Sequence, residues 1–177
     1  MAIREILVIP DKRLREVSKP VTEITDEVRA LVKDMYETMY DAPGIGLAAI
    51  QVGVPLRVVT TDCSPREDEA EPLTLINPEI LELSGEDVPY EEGCLSIPDY
   101  YDEVLRPANA RVRFMDLDGK TQEMEVDGLL STCIQHEVDH LDGKLFIDYL
   151  STLKRSRVMT KFKKAARLRE KAAAAAG

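Results

Sequence analysis

Residues 133–143 of the 177-residue chain contain both of its histidines, His136 and His140, with Glu137 between them. In an α-helix, residues four positions apart lie on one face, one turn from each other. Both imidazoles can then reach one ion, while Glu137, rotated by about 100° from His136, lies at the edge of that face. This spacing is typical of hydrolytic metal sites in which the carboxylate acts as general base. A fold that uses this segment as a metal site must supply the remaining ligand from elsewhere in the chain.

The segment around the histidines has the sequence pattern of a helix. Asp127-Gly128 makes a turn before it, and Gly143 is well placed to end it. Apolar residues recur at helical spacing, namely Leu129, Leu130, Ile134, Val138 and Leu141. Histidines four apart also occur on helix surfaces and in helix cores where they bind nothing. Metal binding is the favoured interpretation because the chain uses histidine only here.

The third ligand of the predicted site is not adjacent in sequence. A catalytic zinc-type centre usually has three protein ligands and keeps one position for water. Asp142, the nearest acid after His140, is two residues on and points away from the histidine face. Cys133 is seven residues from His140, roughly 10 Å along the helix axis, so we expect it to line a pocket beside the metal. Cys63 follows a strand-like run, and its acidic loop has no pattern that suggests a ligand.

Cys94 lies in a different setting, in the stretch Glu91-Glu92-Gly93-Cys94-Leu95-Ser96-Ile97-Pro98. The glycine frees the backbone just before the cysteine, and the proline ends the segment. A thiol at such a bend can bring a ligand from a sheet to a helix. A buried structural cysteine is the commonest alternative for a free thiol. From these residues alone, Cys94 fits the two interpretations about equally.

A third informative stretch, residues 42–53, combines three glycines with small residues and one amide, Gln51. A buried amide needs hydrogen-bond partners, and it can also donate to a developing oxyanion. The segment lacks the sequence features of a phosphate-binding loop. A tightly packed turn that needs glycine only for steric reasons is the alternative.

Three separated motifs are therefore present, Gly44-Ile45-Gly46-Leu47-Ala48-Ala49-x-Gln51, Glu92-Gly93-Cys94-Leu95-Ser96 and Gln135-His136-Glu137-x-x-His140. In order and approximate spacing they resemble the peptide deformylase family, and the resemblance extends over residues 1 to about 165. It implies that the metal ligands are Cys94, His136 and His140. It further implies that Glu137 is the catalytic acid and base.

The resemblance also implies roles for residues around the metal. Gln51 and the Leu95 backbone N–H are expected to stabilise the oxyanion, and Glu92 is expected to pair with Arg106. The implied cofactor is one divalent ion, Fe(II), with zinc as a less active substitute. Cysteine and histidine ligands also suit Ni(II) and Co(II).

The activity implied by the resemblance is removal of the formyl group from the N-terminal formyl-methionine of nascent polypeptides, with release of formate. The methionine side chain needs an apolar pocket, whose expected lining is Ile45, Gly46, Thr132 and Cys133. Thr132 stands where an aliphatic residue is expected. A metallopeptidase and a ribosome-bound module with a structural metal are the two alternatives. The acidic segment 99–103 lies near the expected pocket mouth and has no assigned role.

The sequence predicts an α+β fold in a single compact domain. Short mixed or antiparallel strands surround a central metal-binding helix, and a further helix ends the chain. Thr25 caps a helix that runs to about Tyr40. Strands are expected at 56–61, 73–76, 79–83, 111–117 and 120–126, the last two joined by an Asp118-Gly119 hairpin turn.

The domain is expected to span 1–171, with a basic helix at about 151–171 and a frayed Ala-rich end at 172–177. Residues 154–171 carry nine Lys or Arg and one acid, net +8, so the remainder of this −10 chain carries −18. Such a run is usually a solvated face, but it also suits a phosphate backbone. The resemblance implies ribosome docking through this helix. The apolar residues expected to anchor the helix are Leu153, Val158, Phe162 and Leu168.

The cysteine content and the N-terminal sequence predict a cytoplasmic protein. Three cysteines, an odd number, do not make a disulfide framework, and this fits a reducing cytosol. The charged N-terminal run ends at Pro10 and does not read as a targeting peptide. No apolar stretch approaches the length of a membrane span. We expect a monomer that acts on formyl-methionine nascent peptides.

Overall fold

The computed structural model describes residues 2–177, apart from the side chain of Glu67. Helix α1 spans Asp26–Asp41 and begins where the Thr25 hydroxyl accepts a hydrogen bond from the Val28 N–H at 3.3 Å. Its buried face packs against the inner residues of the sheet. The predicted helix and its cap are confirmed.

Within the described residues, one sheet contains five strands in chain order, and every neighbouring pair is antiparallel. The strands are β1 Gly46–Ala48, β2 Val58–Thr61, β3 Leu73–Cys94, β4 Ile97–Met115 and β5 Thr121–Val126. The predicted hairpin is confirmed, since Gly119, at φ 78°, donates a backbone hydrogen bond to the Asp116 carbonyl between β4 and β5. The α+β class and the single compact domain are likewise confirmed.

Strands β3 and β4 are longer than the sequence suggests, with 22 and 19 residues. The expected strands 73–76 and 79–83 are parts of β3, and the pairing register shifts between Ile76 and Glu79, where Asn77 has φ 51°. A bulge interrupts the alternation of side chains without ending the pairing of the strands. One long strand with bulges therefore has the sequence pattern of two short ones.

Helix α2 spans Gly128–Leu141 and packs against β1, β2 and β4. Every residue from Ser131 to Val138 is buried, and Ile134, Val138 and Leu141 join sheet residues in one core. Gly143, at φ 75°, follows the helix in the left-handed conformation that glycine adopts readily. The predicted histidine helix is therefore central and buried, and polar side chains on it must find partners inside the protein.

Helix α3 spans Thr152–Ala176 and begins where the Ser151 hydroxyl accepts from the Lys154 N–H. Val158 and Phe162 are buried against the body, as expected, but Leu153 and Leu168 are 60% and 57% exposed. The anchor is therefore shorter than predicted. The Ala-rich end is helical to Ala176 rather than frayed, which agrees with the high helix propensity of alanine. No helix in the described part of the chain is long and apolar enough to span a membrane.

Candidate metal centre and pocket

Cys94 ends β3, and only Leu95 and Ser96 separate it from β4. Its Sγ lies 3.3 Å from Nε2 of His140, which in turn lies 3.3 Å from Nε2 of His136. The ligand atoms of these three residues all lie within 4.8 Å of one another. The structure thus brings Cys94, rather than Cys63 or Cys133, next to the two histidines. One thiol and two imidazole nitrogens form a donor set that fits a divalent transition metal.

The orientation of His136 is set by Glu92, whose Oε1 lies 2.8 Å from the imidazole Nδ1. Glu92 and Cys94 are two residues apart at the end of β3, and both side chains contact a histidine of α2, Glu92 at His136 and Cys94 at His140. A carboxylate at this distance holds the proton on Nδ1, which leaves the Nε2 lone pair directed towards His140 and Cys94. This is the tautomer that a metal-binding histidine requires.

The ionisation of the two imidazoles differs, although both are buried. Burial opposes the charged form of His136, but hydrogen bonds with Cys94 and Glu92 raise its pKa well above the ordinary value. Burial and the nearby His136 lower the pKa of His140 well below the ordinary value, so His140 is neutral. The cluster therefore attracts one positive charge, and a divalent cation is well suited to replace the proton there.

Glu92 is held in turn by Arg106, which donates from Nε at 2.7 Å and from Nη2 at 3.1 Å. Arg106 also donates from Nη1 to Asp139 at 2.9 Å, and its guanidinium lies 4.8 Å from the centre of the Tyr149 ring. The Tyr149 hydroxyl donates to Asp139 at 2.8 Å. Burial favours the neutral form of the Glu92 carboxyl group, but the hydrogen bonds from His136 and Arg106 lower its pKa below the ordinary value.

Asp139 and Tyr149 were not identified by the sequence analysis, although Asp139 lies between the two histidines. The i, i+3 spacing from His136 was the available signal, because it places Asp139 near the same helix face. Tyr149 lies outside α2, so no local sequence pattern indicates its contact with Asp139. Asp139 accepts a hydrogen bond from the buried guanidinium, and Tyr149 packs its ring against the guanidinium and donates to Asp139, so the charge is not left unpaired in the core.

Replacement of Arg106 with alanine should lower the free energy of unfolding by about 3–5 kcal/mol, because it leaves Glu92 buried without its counter-charge. Arg111→Ala is the matched control. Arg111 is 40% exposed and pairs with Glu82 and Glu123 on the surface of the sheet. Its loss should cost less than about 1 kcal/mol. Urea unfolding of both variants measures the difference, and equal losses would contradict the assigned role of the buried pair.

Glu137 lies beside the cluster, 4% exposed, and its Oε2 has no hydrogen-bond partner among the described residues. Burial raises its pKa to about 7. A carboxyl group that titrates near neutral pH can both accept and return a proton. Gly46 leaves room for it, because a Cβ at that position would lie 2.6 Å from Glu137 Oε1 and 2.8 Å from Cys133 Sγ.

Gln51 lies in the 3₁₀ turn Ala49–Val52 and is 1% exposed. Its Oε1 accepts a hydrogen bond from the Ala48 N–H at 2.9 Å, which directs the amide nitrogen towards Ser96 Oγ at 3.1 Å and Cys94 Sγ at 3.6 Å. The amide therefore faces the thiol end of the cluster. The contact with Ser96, a motif residue to which the sequence analysis gave no role, holds it there.

A pocket opens over these groups. Its wall includes all four predicted residues, Ile45, Gly46, Thr132 and Cys133, together with Leu95, Gln51, His136 and Glu137. Leu129, Tyr90 and Tyr101 also line it and were not predicted. Of the acidic segment, Asp99 and Tyr101 reach this lining, whereas Asp102 is paired with Lys154 at 3.1 Å and accepts from the Tyr100 hydroxyl. The basic helix thus partly neutralises that segment.

The model of the family described as polypeptide deformylase matches residues 3–156 of this chain. A peptide deformylase of Afipia carboxidovorans is 67% identical over 171 residues, which is 97% of this chain and the whole of the relative. A peptide deformylase of Bradyrhizobium diazoefficiens is 60% identical, over 96% of this chain and the whole of the relative.

Comparison with solved structures indicates the same family. A peptide deformylase from Legionella pneumophila superposes with a TM-score of 0.86 at 45% identity, covering 95% of this chain and 98% of its own. A peptide deformylase from Ehrlichia chaffeensis, in complex with actinonin, superposes with a TM-score of 0.89 at 40% identity, covering 94% of this chain and 99% of its own.

Proposed function

Because the chain belongs to the polypeptide deformylase family, whose members hydrolyse the formyl group of nascent polypeptides, we propose that its reaction centre is the cluster of Cys94, His136 and His140. The chain is a hydrolase of this class. The observation that carries the site assignment is the convergence of one sulfur and two nitrogens beside the buried Glu137 carboxyl group, whose Oε2 has no hydrogen-bond partner among the described residues.

The three side chains would hold one divalent ion. We propose Fe(II), with Zn(II), Ni(II) or Co(II) as substitutes. The preference for iron follows the family, because thiolate and imidazole donors suit all four ions. When bound, such an ion lowers the pKa of a coordinated water and polarises the carbonyl of the substrate. Metal analysis of anaerobically purified protein tests its identity.

Glu137 is proposed to accept the proton of the attacking water and to return it to the leaving amine. Its raised pKa, about 7, suits both steps. The buried position also keeps bulk water from competing for the carboxyl group. The products are formate and a free amino terminus.

Gln51 and the Leu95 N–H are proposed to stabilise negative charge on the former carbonyl oxygen. Both residues line the pocket, and the Gln51 amide is oriented by two hydrogen bonds before any substrate arrives. Donors fixed in advance avoid the cost of reorganisation during the reaction. The methionine side chain is proposed to occupy the part of the pocket lined by Ile45, Thr132 and Cys133.

The assay that tests the proposed function follows formate release from a short formyl-methionine peptide by the anaerobically purified, metal-analysed protein. The same peptide with an acetyl group is the matched control substrate. Turnover of the formyl peptide with little turnover of the acetyl peptide is expected. Cleavage of internal peptide bonds instead would favour a metallopeptidase, and lack of any turnover by fully metallated protein would contradict the assignment.

We also propose that α3 docks on the ribosome. The charges that support this are exposed, and they lie on a helix held to the body by Val158 and Phe162. Binding of positive side chains to nucleic-acid phosphates releases counterions and weakens steeply with salt. Lys154 contributes to the fold through its ion pair with Asp102, so a test of docking must leave it in place.

Reversal of four exposed charges on α3 should leave turnover of a short formyl-methionine peptide largely intact and weaken co-sedimentation with bacterial ribosomes. The four residues are Lys161, Lys163, Lys164 and Arg167, each changed to Glu. Four exposed lysines outside α3 give a control with the same change in net charge, namely Lys12, Lys33, Lys120 and Lys144 changed to Glu. Wild-type binding should fade as salt rises. Equal loss of ribosome binding in both variants would show that net charge alone matters. Unchanged ribosome binding by the α3 variant would show that the charges of this helix only face solvent.

We further propose that the protein works as a monomer in the cytoplasm. Every residue assigned to the reaction centre comes from one chain, so the site needs no second copy for completion. Nascent formylated chains are the substrates of the family, and they emerge in that compartment. Size-exclusion chromatography with light scattering tests the monomer.

A further inference from the structure

Thr132 is a buried threonine in the pocket wall whose hydroxyl has no hydrogen-bond partner among the described residues. It lies within α2, where a threonine hydroxyl commonly donates to a backbone carbonyl three or four residues earlier. Thr38, a buried threonine of α1, does so, because its Oγ1 donates to the Asp34 carbonyl at 2.7 Å. Thr132 is only 6% exposed, yet its Oγ1 is not among the polar atoms that are fully enclosed without a partner, so the hydroxyl opens into the pocket.

Thr132 lies on the side of α2 that forms the pocket wall. Leu129, Thr132, Cys133 and His136 all line the pocket, at the spacings of three and four residues that share one helix face. Thr132 precedes His136 by one turn, about 5.4 Å along the helix axis. When the formyl group is bound at the ligand cluster, as the proposed function requires, the first side chain of the substrate extends along this face towards Thr132.

The neighbouring polar groups in this part of the wall already have partners. The Cys133 thiol donates to the Ile45 carbonyl at 3.7 Å, and that carbonyl also accepts from the Asp62 N–H at 2.8 Å. The side chains of Ile45 and Leu129 are apolar. Among these groups, the Thr132 hydroxyl is therefore the donor that a ligand can use. The thioether sulfur of methionine is only a weak acceptor, so a methionine side chain leaves this donor poorly satisfied.

We propose that Thr132 lets this pocket accept formylated peptides whose first residue is methionine sulfoxide. The sulfoxide makes the methionine side chain polar by adding one oxygen, and that oxygen accepts a hydrogen bond without supplying a donor. This need matches the single hydroxyl of Thr132. A glutamine side chain would bring donors as well, and the Ile45 carbonyl already accepts two hydrogen bonds. The reaction is the same hydrolysis of the formyl group, and the sulfoxide passes unchanged into the product.

The role of the hydroxyl is tested with three proteins of equal metal content, namely the wild type, Thr132→Val, which exchanges the hydroxyl for a methyl group, and Thr132→Ser, which keeps the hydroxyl. Each is assayed with a short formyl-methionine peptide and with the two separated sulfoxide epimers of the same peptide. The ratio of kcat/KM for the better sulfoxide epimer to kcat/KM for the formyl-methionine peptide should fall about tenfold in Thr132→Val, because a buried acceptor loses its donor. Thr132→Ser should keep the wild-type ratio. An equal ratio in the wild type and Thr132→Val would overturn the proposal.

The two epimers distinguish a directed hydrogen bond from a general change in the polarity of the pocket. A donor fixed on a helix meets only one orientation of the S–O bond, so the fall in Thr132→Val should be confined to one epimer. An equal fall for both epimers would overturn the proposal. Thr38→Val is the matched control, because it removes a buried threonine hydroxyl outside the pocket and should keep the wild-type ratio. The same fall in Thr38→Val would also overturn the proposal.

Failure of the proposed function has a different result. If the fully metallated wild type releases no formate from any of the peptides, the proposed function fails. Equilibrium binding of the same peptides to the metal-free proteins, measured by calorimetry, then decides the role of Thr132. The affinity of the better sulfoxide epimer relative to the formyl-methionine peptide should again fall about tenfold in Thr132→Val, and an unchanged relative affinity would overturn the proposal.

Discussion

Formate release by a fully metallated Glu137→Gln protein should be about 10²–10⁴-fold slower than that of the wild type, the range attributed to general acid–base catalysis. Glutamine keeps the size and polarity of the side chain but cannot accept the proton. Glu137 is not in the group of side chains that could hold the ion, so the metal content should stay at one per chain. The measurement compares the turnover rates of the two proteins at equal metal content. Near-normal turnover would remove Glu137 from the mechanism.

The same substitution has a second readout in the metal-free protein. Burial raises the pKa of Glu137 from 4.5 to about 7. A group with a raised folded-state pKa contributes stability that is fully present below its unfolded pKa and is lost as the pH rises through the folded value. The free energy of unfolding of the wild type should therefore fall, relative to Glu137→Gln, between pH 4.5 and about 7. Glu125→Gln, a change at an exposed position on β5, should follow the wild type in both measurements.

Cys94→Ser should lower metal affinity at least about 100-fold, more than the roughly 10–100-fold lost when a residue that only orients a ligand is removed. A poorly ionised hydroxyl replaces a thiol whose sulfur lies 3.3 Å from Nε2 of His140. Metal per chain, measured by elemental analysis after dialysis against a competing chelator, should fall well below one. Formate release should fall with it.

Two matched variants test the choice among the three cysteines. Cys63→Ser and Cys133→Ser make the same chemical change at positions outside the ligand cluster, and both should retain one metal per chain. Cys133 should affect substrate binding instead, because it lines the pocket. Loss of metal from Cys133→Ser with retention by Cys94→Ser would contradict the structure of the cluster.

Some features of this protein could be predicted from its sequence because they depend on regular local structure. His136 and His140 share a face because the helix repeat is a property of the backbone, and Asp127-Gly128 and Gly143 bound that helix through local turn chemistry. Thr25 caps α1 for the same reason. The predictions were less accurate for residues whose burial depends on packing between elements. The apolar pattern of α3 includes Leu153 and Leu168, but the body of the protein covers only the central part of that stripe, so both are exposed.

The sequence by itself determined the helix, the spacing of its two histidines and the position of Glu137 beside them, because these depend on residues within one or two turns. Chain geometry alone left Cys94 open, and only the tertiary structure decided that its sulfur meets the histidines. That contact joins residues 46 apart along the chain and depends on the register of β3 and β4 against α2. The partners of Arg106 were decided the same way, since Tyr149 reaches Asp139 only after the chain has folded back. Non-local contacts of this kind leave no periodic signal in a sequence, because they result from the packing of whole elements.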